Sequence, residues 1–130
     1  MLLVLALGLL AGCNPDSSEP EPAGLNTWLL VRAPDGPLPV NQPIEVRSRV
    51  EDAVHGVSHV ELHLVEFQPV GGGPVADILI RADAAPFDQT SFTASQIFIP
   101  KQPGRYAIMV TGYNHNGQAK ESDTISFEAR

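Results

Sequence analysis

The chain is 130 residues long and carries a formal net charge of −7, with 8 lysines and arginines against 15 aspartates and glutamates. This acidic balance excludes the clustered basic surface typical of nucleic-acid-binding proteins, so we expect no nucleic-acid partner. The single cysteine excludes a disulfide within the chain, and a folded domain must therefore be stabilised by its hydrophobic core.

The first twelve residues form an uncharged apolar run that ends immediately before Cys13. The run is too short for a transmembrane helix, which needs about 20 apolar residues, but it suits the apolar region of a secretory signal. Small residues are preferred at the signal cleavage site, and Ala11 and Gly12 occupy that position. No lysine or arginine precedes the run, whereas a signal begins with positive charge, so we expect the true start to lie upstream.

The motif Leu10-Ala11-Gly12-Cys13 resembles the lipobox of bacterial lipoproteins. The resemblance implies that the signal peptide, residues 1–12, is removed and that the thiol of Cys13 is diacylated, usually together with the new amino terminus. Stable anchoring takes more than one acyl chain, and such a cysteine supplies this without a membrane-spanning helix. The implied location is extracytoplasmic, on a bacterial cell membrane or outer membrane, with the membrane itself as a partner.

Residues 13–24 contain this cysteine and a segment with three prolines, three acidic residues and no large apolar side chain. Such a segment cannot bury enough surface to offset the entropy lost on ordering, so it is predicted to be a disordered tether. The remaining residues, 25–130, are sufficient for one hydrophobic core and are predicted to form one domain.

From residue 25 onward, turn residues recur about every 8–12 positions, the spacing expected of a β-sandwich or barrel. Alternation of apolar and polar residues is strictest in Ile44–Glu51 and returns in residues 57–67 and 106–110. It predicts strands with one buried and one solvated face. In residues 92–99 the apolar positions change phase, which predicts a β-bulge. About seven antiparallel strands and no amphipathic helix indicate an all-β, immunoglobulin-like β-sandwich.

Two motifs resemble those of bacterial immunoglobulin-like and fibronectin-III-like modules. Gly56-Val57-Ser58-His59-Val60-Glu61-Leu62 is similar to the start of their third strand, and Pro103-Gly104-Arg105-Tyr106 is similar to their Pro-Gly-x-Tyr strand. The resemblance implies that Tyr106 packs its ring in the core and bonds its hydroxyl to nearby backbone, as in a tyrosine corner. Gly56 and Gly104 are expected to supply backbone angles that other residues rarely adopt.

Three polar residues, His59, Glu61 and His63, share one face of a predicted strand at steps of about 6.5–7 Å. Two histidines spaced in this way can chelate zinc if a neighbouring strand supplies a third ligand. The alternative, which we favour, is an exposed polar strand face. The acidic residues form no tight repeat of the kind that binds calcium. We therefore expect no metal and no cofactor.

Sequence signatures of catalysis are missing, since the chain has no Gly-x-Ser-x-Gly motif and Gly71-Gly72-Gly73 lacks the Lys-Ser/Thr of a phosphate loop. We expect a protein that is not an enzyme: a monomeric, membrane-anchored interaction or spacer module whose partner is another surface protein or a polysaccharide. The alternative is a carbohydrate- or peptide-binding surface protein that uses the loop at residues 67–74 or a strand edge by β-augmentation. An aromatic platform of Trp28, Phe67 and Tyr113 could bind sugar, although core packing is the interpretation that we favour for these residues.

Overall fold

The computed structural model describes residues 24–73 and 75–130. The predicted signal, Cys13 and residues 14–23 of the predicted tether lie outside these described residues. Regular secondary structure in the described part of the chain is entirely β, in eight strands. The strands are β1 (Asn26–Leu29), β2 (Ile44–Glu51), β3 (Val57–Pro69), β4 (Val75–Ala84), β5 (Ser91–Phe98), β6 (Gly104–Asn114), β7 (Ala119–Glu121) and β8 (Ile125–Ala129).

The strands form two antiparallel sheets that pack face to face. The smaller sheet has the order β1-β2-β5, and the larger has the order β4-β3-β6-β7, with β8 also paired to β6. β7 and β8 pair with successive stretches of β6, residues 111–113 and 104–108, so together they occupy one strand position. The prediction of an all-β sandwich of antiparallel strands is confirmed, and the count of eight strands rather than seven reflects the interruption of the last strand.

The hydrophobic core lies between the sheets and follows the alternation of the sequence. On β2 the fully buried side chains are Val46, Ser48 and Val50, and on β3 they include Val60 and Leu62. Each fully buried valine or leucine contributes about 1.5–3 kcal/mol relative to an exposed one. The faces predicted from alternation are therefore the faces that the core uses.

Tyr106 lies at the centre of an aromatic group that fills one half of this core. Its ring stacks on Phe67 with centroids 4.4 Å apart and on Phe127 at 5.3 Å, while Phe98 meets it edge-on at 5.5 Å. The Oη of Tyr106 donates a hydrogen bond of 2.5 Å to the carbonyl oxygen of Gln102. This is the geometry of a tyrosine corner, which closes the turn before β6 over the aromatic core.

The two glycines singled out in the sequence have positive backbone φ and tight surroundings. Gly104 has φ of 155°, and a Cβ at this position would collide with the carbonyl oxygen of Gln68 and lie 2.8 Å from the ring of Phe67. Gly56 has φ of 74°, and its Cβ would lie 3.1 Å from the ring of His115. A side chain at either position would therefore meet backbone strain, and at Gly104 it would also meet a steric clash.

Gln96 explains why the predicted bulge in the fifth strand is wrong. The pairing of β2 with β5 runs without a shift from Ile44 opposite Phe98 to Glu51 opposite Ser91. Gln96 is fully buried on the inner face, so a polar residue occupies a position where alternation requires an apolar one. Its amide nitrogen donates to Oδ2 of Asp83 at 2.9 Å, which offsets part of the cost of burial.

The strand registers define two ends of the sandwich. Asn26 pairs with Glu51, so the described chain enters the domain beside the β2–β3 loop, residues 52–56. Backbone hydrogen bonds tie that loop to residues 89 and 90 of the β4–β5 loop. The tether end comprises residues 24–26, 52–56, 85–90 and 115–118. The opposite, free end comprises residues 70–73 and 99–103.

Candidate functional site

A ladder of polar side chains crosses the outer face of the larger sheet. His59, Glu61 and His63 of β3 are paired with Tyr113, Thr111 and Met109 of β6. Because every second residue of a strand points to the same face, these six side chains lie on the outer face of the larger sheet. We call the group formed by His59, Glu61, His63, Asp77 and Tyr113 the outer-face cluster.

Glu61 is the hub of the outer-face cluster. Its Oε1 accepts hydrogen bonds from Tyr113 Oη at 3.1 Å and from His63 Nε2 at 2.9 Å. Its Oε2 lies 3.5 Å from His59 Nε2. Burial alone would raise the pKa of Glu61, but the hydrogen bonds from His63 and Tyr113 and the nearby histidine charge outweigh it and lower the pKa. The carboxylate is therefore held in its ionised form.

Tyr113 is fixed by contacts on its face and at its hydroxyl. Its ring stacks on His59 with centroids 4.3 Å apart and planes 9° from parallel. His59 is held in turn by a hydrogen-bond contact of 3.0 Å between its Nδ1 and Ser58 Oγ. Burial raises the pKa of Tyr113, and the Glu61 carboxylate raises it further. The phenol therefore remains a hydrogen-bond donor at neutral pH.

His63 lies between two carboxylates. Its Nε2 contacts Glu61, and its Nδ1 lies 3.3 Å from Oδ1 of Asp77 on the edge strand β4. This Nδ1 is buried and makes no hydrogen bond. Asp77 has φ of 46°, an uncommon value for a residue other than glycine, and it lies near the register shift of β3 against β4.

The histidine face considered as a zinc site has the expected spacing but lacks a converging ligand set. Among residues 24–73 and 75–130, no three histidine, cysteine, aspartate or glutamate side chains are arranged to hold a metal ion. Glu61 lies between the two histidines, and the Nε2 of His63 is already hydrogen-bonded to it. His55, four residues before His59 in the sequence, lies in the tether-end loop, where its Nδ1 is 3.8 Å from Asp52.

Beside the outer-face cluster lies an open groove of about 590 Å³. It runs between β4, β6 and β7 and has walls of mixed polar and apolar character. Its lining residues are His63, Asp77, Met109, Thr111, Tyr113, Ala119, Lys120 and Glu121. The volume lies within the range of about 300–1,000 Å³ that is typical of small-molecule sites. Carboxylates accept hydrogen bonds here, while the hydroxyl of Thr111 can donate, so the groove suits a polar ligand rich in hydroxyl groups.

Sequence reasoning found part of this site and missed the rest. His59, Glu61 and His63 were identified by their spacing, and the structure places them together on one face. Residues 119–121 were missed because β7 is too short and too polar to produce a strand pattern, and Asp77 was missed because its position beside His63 depends on the register between strands. A carbohydrate platform of Trp28, Tyr113 and Phe67 does not form, since Phe67 is buried against Tyr106 while Tyr113 lies on the outer face.

Neither a protein-family profile nor a curated protein sequence matches the chain. Its fold does match solved structures. A superoxide reductase (neelaredoxin) from Ignicoccus hospitalis matches with a TM-score of 0.54 at 19% identity, over 89% of this chain and 93% of that one. A β-glucosidase from Listeria innocua in complex with gluconolactone matches with a TM-score of 0.55 at 11% identity, over 81% of this chain and 16% of that one. At these identities the likeness concerns the fold.

The comparison corrects one prediction. We expected a protein that is not an enzyme, and this is contradicted because the superoxide reductases that share its sandwich are enzymes. The missing hydrolase and phosphate-loop motifs were a poor basis for that expectation, since function depends on side chains grafted onto a fold and not on the fold itself. The similarity in turn assigns no reaction to this chain.

Proposed function

We propose that this protein is a lipid-anchored, extracytoplasmic binding module of a bacterial membrane. The observation that carries the proposal is the motif Leu10-Ala11-Gly12-Cys13, followed at once by a Pro- and acid-rich tether and then by one β-sandwich. A diacylated Cys13 would hold the domain at the membrane, and the tether would separate the two. The described residues contain no helix long and apolar enough to cross a bilayer.

The groove supports a second part of the proposal, in which the module binds a saccharide. Sugar hydroxyls are best held by charged and polar groups that accept and donate together, and Asp77, Glu121 and the hydroxyl of Thr111 provide such a set. The hydrogen bond from Tyr113 Oη to the ionised Glu61 holds these two side chains in place at the side of the groove. This location replaces the loop at residues 67–74 as our candidate, because the groove has the volume and the polar side chains that a ligand needs.

The anchor is tested by mass spectrometry of the mature protein, purified from membranes of a bacterium that expresses the gene with its upstream region. We expect an amino terminus at Cys13 that carries the added mass of at least two acyl chains. A mature protein that begins elsewhere, or an unmodified Cys13, would overturn the anchor without affecting the saccharide proposal.

The saccharide is tested by titrating the isotope-labelled protein with neutral oligosaccharides, including N-acetylglucosamine oligomers, and following backbone amide shifts. We expect shifts confined to β6, β7 and the residues around Asp77. Glu121→Gln and Asp77→Asn should each weaken binding about tenfold, the loss of one charged hydrogen bond. Glu128→Gln, a control on β8 outside the groove, should leave binding unchanged. Shifts confined to residues 67–73 would contradict the proposed location.

A further inference from the structure

We infer that the tether end of the sandwich docks on the surface of the lipid bilayer through Val54 and Phe87. The inference rests on the proposed lipid anchor. It adds a direct contact between the folded domain and the membrane, so that the domain has a fixed orientation and does not rotate freely on its tether.

Two large apolar side chains are strongly exposed at the tether end. Phe87 is 84% exposed in the β4–β5 loop, and Val54 is 62% exposed in the β2–β3 loop. A backbone hydrogen bond joins the two loops, since the N–H of Asp52 donates to the carbonyl oxygen of Thr90 at 3.0 Å. Val54 and Phe87 therefore project from one end of the domain.

The loop that carries Val54 is fixed by a buried carboxylate. Oδ1 of Asp52 accepts hydrogen bonds from the backbone N–H of Val54 at 3.0 Å and of His55 at 2.9 Å. Oδ2 of Asp52 accepts a further bond of 2.9 Å from the side-chain amide of Asn114. Because this loop is already ordered, little conformational entropy is lost when the side chain of Val54 enters the bilayer. The ordered loop also favours docking over a rearrangement that would fold Val54 back onto the domain.

The tether end presents little charge that docking would have to desolvate. Residues 52–56, 85–90 and 115–118 contain no lysine or arginine, and their acidic residues are the buried Asp52 and the exposed Asp88. An apolar tip without basic residues matches the headgroup–acyl boundary of a bilayer, where binding strength follows the buried apolar area. It does not match an electrostatic contact with anionic lipid, so docking should be insensitive to salt.

The position of the anchor indicates that the tether end contacts the lipid bilayer. Ten residues, 14–23, separate Cys13 from Gly24, and Gly24 lies just before β1 at the tether end. Even a fully extended chain of this length reaches only about 40 Å. An acylated Cys13 would therefore hold the end that carries Val54 and Phe87 within this distance of the bilayer, whereas Val70 lies at the opposite, free end of the sandwich.

Fluorescence quenching by lipid tests this orientation. The acylated full-length protein is reconstituted into phosphatidylcholine vesicles with and without brominated acyl chains, in a Trp28→Phe background. Phe87→Trp reports on the tether end. Val70→Trp is the matched control, because Val70 is 79% exposed at the free end. We expect brominated lipid to quench Phe87→Trp at least threefold more than Val70→Trp, and Val54→Asp to reduce that quenching while the acyl mass on Cys13 is unchanged.

Equal quenching of the two reporters on protein whose Cys13 is acylated would overturn the docking and leave the anchor intact. Absence of acyl chains would overturn the anchor and the docking with it. The Trp of Phe87→Trp is also tested with a water-soluble quencher in the absence of vesicles. If it is shielded there, a second copy of the chain covers the tether end, and this result also contradicts the inference. Thermal unfolding of each variant, followed by circular dichroism, checks that it is folded.

Discussion

At the scale of single residues, buried polar groups stabilise the turns that give the sandwich its shape. Asp52 is almost fully buried, and its carboxylate satisfies two backbone N–H groups and the amide of Asn114. Burial alone would raise the pKa of Asp52, but these hydrogen bonds outweigh it and lower the pKa. The ionised carboxylate therefore contributes to folding.

The lowered pKa of Asp52 predicts a loss of stability in acid. A carboxyl whose folded-state pKa lies below its unfolded value of about 3.9 stabilises the protein at neutral pH. That contribution is lost as the pH falls below about 4 toward the folded-state pKa. Urea denaturation between pH 3 and pH 7 should show it, and Asp52→Ala should lower the free energy of unfolding at pH 7 by about 1–3 kcal/mol. An equal effect from Asp35→Ala, an exposed control, would contradict the assignment.

The hydroxyl of Tyr106 provides a second prediction at this scale. Tyr106→Phe removes the hydrogen bond to the carbonyl oxygen of Gln102 but keeps the ring in the aromatic core. We expect the free energy of unfolding to fall by about 0.5–1.5 kcal/mol, the usual contribution of one hydrogen bond. Tyr113→Phe is the matched variant on the outer face, and its effect should be smaller because water can replace the lost bond to Glu61. The reverse order of the two effects would be inconsistent with a tyrosine corner.

At the scale of strands, the sequence was informative wherever one face is buried and uniformly apolar. Ile44–Glu51 was predicted with its observed bounds and faces, because Val46 and Val50 alternate with charged residues. The fifth strand was misinterpreted because Gln96 is a buried polar residue on an otherwise apolar face. The three-residue strand β7 was missed because all its side chains are exposed. The contact between sheets that gives Gln96 a hydrogen-bond partner cannot be inferred from local periodicity.

The same distinction applies to the candidate site. Spacing along a strand identified His59, Glu61 and His63, because a single strand determines which of its own residues share a face. The partners from other strands, Asp77 and Tyr113, depend on register, and the register shift between β3 and β4 is not visible in the sequence. The zinc alternative depends on the same missing information, since strand spacing says nothing about where a third ligand lies.

The packing of β6 against the smaller sheet gives a prediction at the scale of elements. A Cβ at Gly112 would lie 2.6 Å from both Oγ1 of Thr27 and Cγ1 of Val50. Gly112→Ala should therefore push the two sheets apart and cost about 1–3 kcal/mol, as overpacking of a core usually does. Gly36→Ala is the control, because a Cβ on this loop glycine would have no neighbouring atom within 4 Å. Unfolding midpoints in urea that are equal for the two variants would contradict this packing.

At the scale of the whole molecule, the proposed arrangement has three parts with different roles. In it the apolar signal directs export, the cysteine and tether attach the domain, and the sandwich presents a polar groove on its outer face. A net charge of −7 disfavours flat association with anionic headgroups. Membrane association would therefore come from the acyl chains and from the two apolar side chains of the tether end.

The measurement that tests the central claim most directly is metabolic labelling with a radioactive fatty acid, followed by fractionation of cells that express the wild type or Cys13→Ser. We predict that the wild type is labelled and is released from membranes only by detergent. The Cys13→Ser protein should be unlabelled and should be recovered without detergent, because two apolar side chains alone hold a domain weakly. A wild type that is unlabelled and soluble would contradict the lipid anchor, and label retained by Cys13→Ser would contradict the site.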